Sequence, residues 1–182
     1  MLKKKLMHSR SAYLHAVRAL PSPENLHSGP IRQNSFEFTR ADQIESQLIE
    51  LGWAFFPRYE ACLDKWLKDQ GVKLSKQVQL KDWLTSRGVS IPAEFSEGLK
   101  LYRQIRNTLH HDDGASLSGN PETEIHLLPE YMENFFELFC WIGTEVETAN
   151  RADEGESRQP AAPFALPSRG ASEKPSPLSD RG

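Results

Sequence analysis

The stretch LYRQIRNTLHHDDG, residues 101–114, concentrates side chains that can bind phosphate and transfer protons. Arg106 is followed directly by Asn107, and His111 comes five positions after Arg106. Apolar residues recur every four positions along the stretch, at Leu101, Ile105 and Leu109. This spacing predicts a helix with one buried face, so His111 is expected in or near its last turn, before Gly114 ends the helix.

The segment before this helix carries a second, longer helical pattern. A helix is predicted to begin after Thr39, which suits the N-cap position, and to end at Gly71. Its apolar residues follow the spacing i, i+4, i+7, at Ile44, Leu48, Leu51, Phe55, Tyr59, Leu63 and Trp66. Pro57 lies inside this pattern, and proline in a helix interior is expected to kink the helix or split it.

Proline and glycine delimit the remaining helices. A short helix is predicted over residues 80–86, and Pro92 begins the helix that carries the motif. A polar loop is predicted over residues 112–124, and Pro129 begins the last helix. That helix is expected to turn an aromatic and aliphatic face inward, through Met132, Phe135, Phe136, Phe139, Ile142 and Val146. The patterns therefore predict an all-α antiparallel helical bundle over residues 39–149.

Both ends of the chain are expected to be irregular or disordered. Residues 1–38 form a basic N-terminal arm that is predicted as mostly irregular, with a loop over residues 21–38. Apolar residues at the start of the arm also allow a short amphipathic helix, through Leu2, Leu6, Tyr13 and Val17. Residues 150–182 are rich in Pro, Ser and Gly and poor in large apolar side chains, which predicts a disordered tail.

Charge is unevenly distributed along the 182 residues, whose formal net charge is −3. Residues 1–39 carry a net charge of +4 and residues 40–150 carry −7. Phosphate neutralisation supplies most of the non-specific affinity for nucleic acids, so an acidic domain argues against a broad RNA-binding surface. The charge is still compatible with a small site that binds one phosphate.

Cysteine usage and hydropathy indicate the compartment. Cys62 and Cys140 both fall in apolar helical patterns, which favours buried free thiols over a disulfide or a metal pair. No apolar run reaches the roughly 18 residues that a membrane span needs. We therefore expect a cytoplasmic protein with no membrane partner.

The motif resembles the Arg-x4-His motif of the HEPN superfamily, in the form where Asn follows the Arg and a Gly-containing turn follows the His. Arg106, Asn107 and His111 stand at those positions, and the resemblance covers roughly residues 40–149. It implies a small all-α bundle that forms a homodimer. It also implies a metal-independent ribonuclease of a toxin–antitoxin, antiphage or CRISPR system, although other HEPN domains are inactive binding modules.

A second segment, FFPRYE at residues 55–60, resembles the aromatic-x-x-Glu pattern on the first long helix of HEPN domains. The resemblance implies that Glu60 orients Arg106. The alternative is that Glu60 is a surface carboxylate. Some HEPN toxins carry a Tyr two residues after the motif His, which a nucleotidyltransferase partner modifies. This chain has Asp113 there, which argues against such regulation.

These residue types suit cleavage of RNA without a metal ion. The 2′-hydroxyl attacks the adjacent phosphorus if a base takes its proton, an acid protonates the leaving 5′-oxygen and a cation stabilises the phosphate. His111 suits the proton transfers because imidazole titrates near pH 7, and Arg106 suits the phosphate because guanidinium stays charged. Asn107, one turn before His111, can hold the imidazole or donate to the phosphate.

Helix geometry limits what one chain can do alone. Positions five apart diverge by about 140° around a helix, and one chain offers one motif His where the reaction needs an acid and a base. A two-fold dimer that joins two motif helices supplies both, and the aromatic face of the last helix can form part of its surface. His110 shares a helix face with Arg106 and is expected to be auxiliary or merely packed.

For each motif residue, the alternative to a catalytic role is a purely structural one. Arg106 can pair with Glu60 or Asp113, and either His110 or His111 can interact with the helix C-terminus. A metal site is disfavoured because adjacent side chains diverge on a helix and no second ligand cluster has metal spacing. The ligands of such a site would be His110, His111, Asp112 and Asp113.

The sequence therefore predicts a metal-independent endoribonuclease of HEPN type that acts as a toxin or antiphage effector and needs no cofactor. Arg106, His111 and Asn107 are its predicted catalytic residues, and Glu60 and His110 are supporting residues. The expected partners are an RNA substrate, a second copy of the chain and an antitoxin protein. The competing prediction is a catalytically inactive HEPN-like module for protein binding or dimerisation, which the acidic charge favours.

Overall fold

A computed structural model describes residues 2–33, 35–75, 78–111 and 125–156 of the chain. These ranges form five α-helices and one small two-stranded sheet, so the prediction of a mainly helical protein is confirmed. The elements are, in order, α1 (Leu2–Arg18), a 3-10 helix (Pro23–Ser28), β1 (Ile31–Gln33), β2 (Phe36–Phe38), α2 (Ala41–Asp69), α3 (Leu80–Ser86), α4 (Ala93–His111) and α5 (Pro129–Glu156). None of the helices in the described ranges is long and apolar enough to cross a membrane.

The N-terminal segment is a helix that belongs to the core, so the prediction of a mostly irregular arm is wrong for residues 2–18. Leu2, Leu6 and Tyr13 of α1 are almost fully buried, and α1 packs against α2 and α5. Arg10 donates from Nε to both carboxylate oxygens of Glu133 on α5, at 2.7 and 2.8 Å. The first turn of α1 contains no acidic residue, so tertiary burial rather than local signals stabilises this helix.

Residues 21–38 also contain regular structure where the sequence predicts a loop. The 3-10 helix is followed by β1 and β2, which pair antiparallel with Ile31 opposite Phe38. Phe38 is buried, whereas Phe36 is 63 % exposed, and β2 packs against the helix α2. Each strand is only three residues long, which is too short for an alternating pattern to reveal it in the sequence.

The long helix α2 runs without interruption past Pro57, so of the two predicted effects of this proline, a kink or a split, the split does not occur. Its N-cap is Arg40 rather than Thr39, because the Gln43 side chain accepts from the backbone N–H groups of both residues, at 2.8 and 3.2 Å. Its end is as predicted, since Gly71 follows with a left-handed φ of 75°.

The predicted short helix and the starts of α4 and α5 agree with the structure to within one residue. The end of α5 does not agree. This helix continues to Glu156, so the predicted boundary at residue 150 is wrong by about two turns. The predicted loop at residues 112–124, with Gly114, and the predicted tail beyond residue 156 lie outside the described residues.

Aromatic side chains join three helices around one apolar core. Phe56 on α2 contacts the Tyr102 ring on α4 at 6.4 Å between centroids and the Phe135 ring on α5 at 5.0 Å. Tyr102 also meets Phe139 of α5 edge-on, at 5.3 Å. These contacts set the distance between α4 and α2, on which the candidate site depends.

Gly52 allows the chain before α5 to cross directly over α2. A Cβ atom at this position would lie 1.9 Å from the Leu127 carbonyl oxygen, a distance that no side chain tolerates. The adjacent Trp53 donates from Nε1 to the carbonyl oxygen of Ile125 at 3.2 Å. Glycine is therefore required here by a close approach of two backbones.

Substitution of two helical glycines should separate packing from helix propensity. Ala favours a helix over Gly by about 1 kcal/mol, but Gly52→Ala also forces α2 away from Leu127, and overpacking costs about 1–3 kcal/mol. We expect Gly52→Ala to lower the free energy of unfolding in urea. Gly98→Ala is the control, because its Cβ would meet only the tip of Leu138, at 3.2 Å. Equal stability of the two variants would contradict this account of the crossing.

Candidate functional site

One face of α4 carries the motif from the core out to solvent. Leu99, Tyr102, Arg103, Arg106 and Asn107 follow the spacing i, i+3, i+4, i+7, i+8 and so share this face. Leu99 and Tyr102 are buried, Arg106 is half-buried, and Arg103 and Asn107 are exposed. The face is therefore apolar at one end and cationic at the other.

Arg106 is held against α2 by an ion pair with Glu60. Its Nε donates to Glu60 Oε1 at 3.1 Å, and the two side chains are 23 % and 11 % exposed. Glu60 is the only polar or charged residue of the described ranges whose surface is buried. An ionised carboxylate is expensive to bury unless it is paired, so this residue requires the guanidinium.

The remaining contact of Arg106 fixes the plane of its guanidinium. Nη2 donates to the carbonyl oxygen of Leu74, in the segment between α2 and α3, at 3.5 Å. The contacts with Glu60 and Leu74 use two of the five N–H donors of the side chain. Its solvent-facing edge can therefore bind an anion while Glu60 holds the other edge.

Tyr102 lies one helical turn before Arg106 and shares its electrostatic surroundings. Its hydroxyl is buried and has no hydrogen-bond partner among the described residues. Burial raises the pKa of Tyr102 well above its usual value, and the nearby Glu60 carboxylate raises it further. Tyr102 therefore remains a neutral hydroxyl next to the ion pair and does not supply a base.

A cavity of about 110 Å³ lies beside Arg106, between α3, α4 and the segment before α3. We call it the α3–α4 cavity. Its floor is apolar and consists of Leu74, Leu80, Leu99 and Tyr102. Its rim is mainly cationic and consists of Lys81, Lys100, Arg103, Arg106 and the acidic Asp82. Gln79 and Asn107 add two amide side chains to its wall.

A second depression lies on the opposite side of Arg106, against α2. Glu60, Asp64, Lys68 and Lys73 line it together with Arg106. Lys68 pairs with Asp64 at 2.5 Å, one turn apart on α2. Arg106 therefore stands on the ridge between two cavities, which gives its guanidinium access to a ligand from either side.

The structure brings together some of the predicted site residues. Glu60 and Arg106 form an ion pair, which is expected both if Glu60 orients a catalytic Arg106 and if Arg106 has a structural role. Asn107 follows on the exposed part of the same helix face. His110 and His111 are the last two residues of α4, one turn after Arg106 and Asn107 respectively. The side chains of these histidines and the predicted alternative partner Asp113 lie outside the described residues.

The sequence did not predict the α3–α4 cavity or the position of Arg103 on its rim. Residues 74–82 reach the site only through the turn of the chain after α2, which no local pattern reveals. A signal for Arg103 was present, since it lies three residues before Arg106 and therefore on the same helix face.

The described part of the chain contains neither a clustered set of metal ligands nor a disulfide. No group of three or more His, Cys, Asp or Glu residues that could hold a metal ion occurs there. The four side chains of the alternative metal site, at residues 110–113, lie outside it. Cys62 and Cys140 are both free and half-buried, as a pair of structural thiols would be, and burial raises the pKa of Cys140.

Comparison of the chain with protein-family models, curated proteins and solved structures gives no match. Function therefore has to be argued from the site itself. An arginine that is oriented by a buried carboxylate can stabilise negative charge without reorganising when the charge develops. An adjacent apolar cavity can hold an uncharged part of the same ligand.

The Glu60–Arg106 pair should contribute more to the free energy of unfolding than an exposed ion pair does. A double-mutant cycle with Glu60→Gln and Arg106→Gln should give a coupling energy of about 1–3 kcal/mol, since the carboxylate is buried and hydrogen-bonded. The measurement is urea unfolding of the four proteins. The exposed pair of Glu97 and Lys100 on α4 is the control, with a coupling below about 0.5 kcal/mol. Equal coupling for both pairs would mean that Glu60 does not hold Arg106.

Proposed function

We propose that this protein is a metal-independent endoribonuclease of HEPN type, in which Arg106, Asn107 and His111 act on the RNA backbone. The observation that carries the proposal is the burial of Glu60 against Arg106. The resemblance of the FFPRYE segment to HEPN domains implies this pair. In the pair, the buried carboxylate of Glu60 orients the guanidinium of Arg106. A surface carboxylate at residue 60 would have removed that support.

The proposed reaction follows from the chemistry of histidine and arginine side chains. A histidine takes the proton of the ribose 2′-hydroxyl, and the resulting oxygen attacks the adjacent phosphorus. The bond from phosphorus to the 5′-oxygen breaks, and a second histidine protonates that oxygen. The products are a 2′,3′-cyclic phosphate and a 5′-hydroxyl. Arg106 stabilises the negative charge that builds up on the phosphate oxygens.

A two-fold homodimer completes this site in the proposal. Arg106 and His111 are five positions apart on α4, which corresponds to about 140° of rotation and about 7.5 Å of rise. A single helix therefore holds them on different sides. A second copy supplies the other histidine, and the end of α4 is the natural meeting point of the two motifs. In this reading the cell controls the nuclease as a toxin or antiphage effector, with an antitoxin as its protein partner.

A groove between α4 and α5 favours an inactive binding module as the second candidate. It has a volume of about 630 Å³, and its walls include Phe95, Leu101 and the 41 % exposed Tyr131. Phe95 stacks on Trp141 at 4.7 Å, and the groove lining also includes the acidic residues Glu94 and Glu137. Such a groove suits a protein partner or a second copy of the chain.

RNA cleavage in excess EDTA tests the nuclease directly. We expect single-stranded RNA to be cut to 2′,3′-cyclic phosphate and 5′-hydroxyl ends, which mass spectrometry identifies. His111→Ala should lower the rate by roughly 10²–10⁴-fold because it removes a proton-transfer group. Arg106→Ala should lower it by roughly 10²–10³-fold because it removes charge stabilisation. His110→Ala should have a smaller effect.

Circular dichroism and light scattering on the same variants provide the controls. Folded, dimeric variants that have lost cleavage support catalytic roles for Arg106 and His111. Cleavage that stops in EDTA would indicate a metal-dependent nuclease instead. A folded wild-type protein that never cuts RNA would leave the binding module as the better explanation of the groove.

A further inference from the structure

The α3–α4 cavity combines an apolar floor with a cationic rim, which is unusual in a domain with net negative charge. Leu80, Leu99 and Tyr102 on its floor are each at most 5 % exposed. Lys81, Lys100, Arg103 and Arg106 lie on its rim together with the acidic Asp82. Arg106 is paired with Glu60 and Lys100 with Glu97, so Lys81 and Arg103 supply the positive charge of the rim in excess of Asp82. An apolar floor beside a cationic rim fits a ligand that has a flat uncharged part and a phosphate.

The cavity lies next to Arg106, so one ligand can reach both the cavity and the guanidinium. Arg106 and Asn107 belong both to its wall and to the proposed catalytic site. A phosphate on the exposed edge of Arg106 therefore lies beside the cavity, and a group attached to that phosphate can enter it. Arg103, one turn earlier and exposed, can lay its planar guanidinium over an aromatic ring.

The size of the cavity restricts the ring that it can hold. Its volume of about 110 Å³ is smaller than the ~150 Å³ of an engineered protein cavity that binds benzene. It therefore has no room for the fused pair of a purine, and it can take a single six-membered ring only with part of that ring outside the cavity. Asn107 is exposed, and its amide carries both donor and acceptor groups, as the edge of a pyrimidine does, whereas Gln79 Nε2 already donates to the Ser75 carbonyl oxygen at 2.8 Å.

We propose that the α3–α4 cavity binds the pyrimidine base of the nucleotide whose 2′-hydroxyl attacks the scissile phosphate. This inference rests on the proposed nuclease function and names its substrate preference. The base belongs to the nucleotide on the 5′ side of that phosphate, because the attack requires this ribose to be fixed. A base held beside Arg106 positions the ribose between the cavity and the motif, and the enzyme then cleaves after pyrimidines.

Binding of nucleoside 3′-monophosphates to the full-length protein tests the cavity without any need for cleavage. Isothermal titration calorimetry should give at least about tenfold tighter binding of the uridine and cytidine compounds than of the adenosine and guanosine compounds. Val78 is 40 % exposed at the cavity wall, so Val78→Trp should block the cavity and remove most of this preference. Arg103→Gln should weaken pyrimidine nucleotides by roughly tenfold through loss of stacking and charge.

Met7→Trp is the matched control, because Met7 is an exposed apolar side chain on α1 that lines neither the α3–α4 cavity nor the groove between α4 and α5. It should bind as the wild type does. Inorganic phosphate is the second control and should bind Val78→Trp and the wild type equally. Equal binding of all four nucleotides, or of phosphate and nucleotide, would overturn the base site, as would a folded Val78→Trp or Arg103→Gln variant with wild-type nucleotide affinities.

The cleavage assay separates this inference from the function on which it rests. Cleavage of RNA without any preference for pyrimidine, unchanged in Val78→Trp, would retain the nuclease and reject the base site. Selective pyrimidine binding by a protein that cuts no RNA would retain the site and reject the nuclease.

Discussion

The candidate site depends on one buried charge, the carboxylate of Glu60. Burial of a carboxylate is unfavourable unless a cation accompanies it, and the cation here is Arg106 on the neighbouring helix. The pair ties α4 to α2 and fixes the rotation of α4 about its own axis. Because side chains three and four residues apart share a helix face, that rotation also sets the directions of Arg103 and Asn107.

The rest of the fold supplies a rigid frame for this pair. α2 carries Glu60 in the middle of a 29-residue helix whose other contacts are with α1, α5 and the hairpin. The Phe56 ring lies one turn before Glu60 and packs on Tyr102, one turn before Arg106. The aromatic contact and the ion pair therefore join α2 and α4 at two points that are one turn apart on each helix. The close crossing at Gly52 holds the chain that leads into α5, whose Phe139 supports Tyr102 from the other side.

The helices from α2 to α5 could be predicted because their apolar spacing is long and regular. The Glu60–Arg106 pair was one of two expectations for Glu60, the other being a surface carboxylate. Three features could not be predicted. For α1, the apolar spacing allowed a short helix, but no local pattern contains its burial in the core or its contact with the distant Glu133. The hairpin strands are too short to show alternation. The α3–α4 cavity joins residues 74–82 to residues 99–107, and only the packed chain brings them together.

The most direct test of the account is the rate of RNA cleavage by Glu60→Gln in excess EDTA, compared with Glu97→Gln. Both changes neutralise one carboxylate, but Glu97 pairs with Lys100 on the exposed surface of α4. If Glu60 positions Arg106 for the scissile phosphate, Glu60→Gln should cut RNA roughly 10–100-fold more slowly while it stays folded, since small misplacements of a catalytic group are costly. Glu97→Gln should keep the wild-type rate. Wild-type cleavage by a folded Glu60→Gln variant would contradict the account, as would absence of cleavage by the wild-type protein.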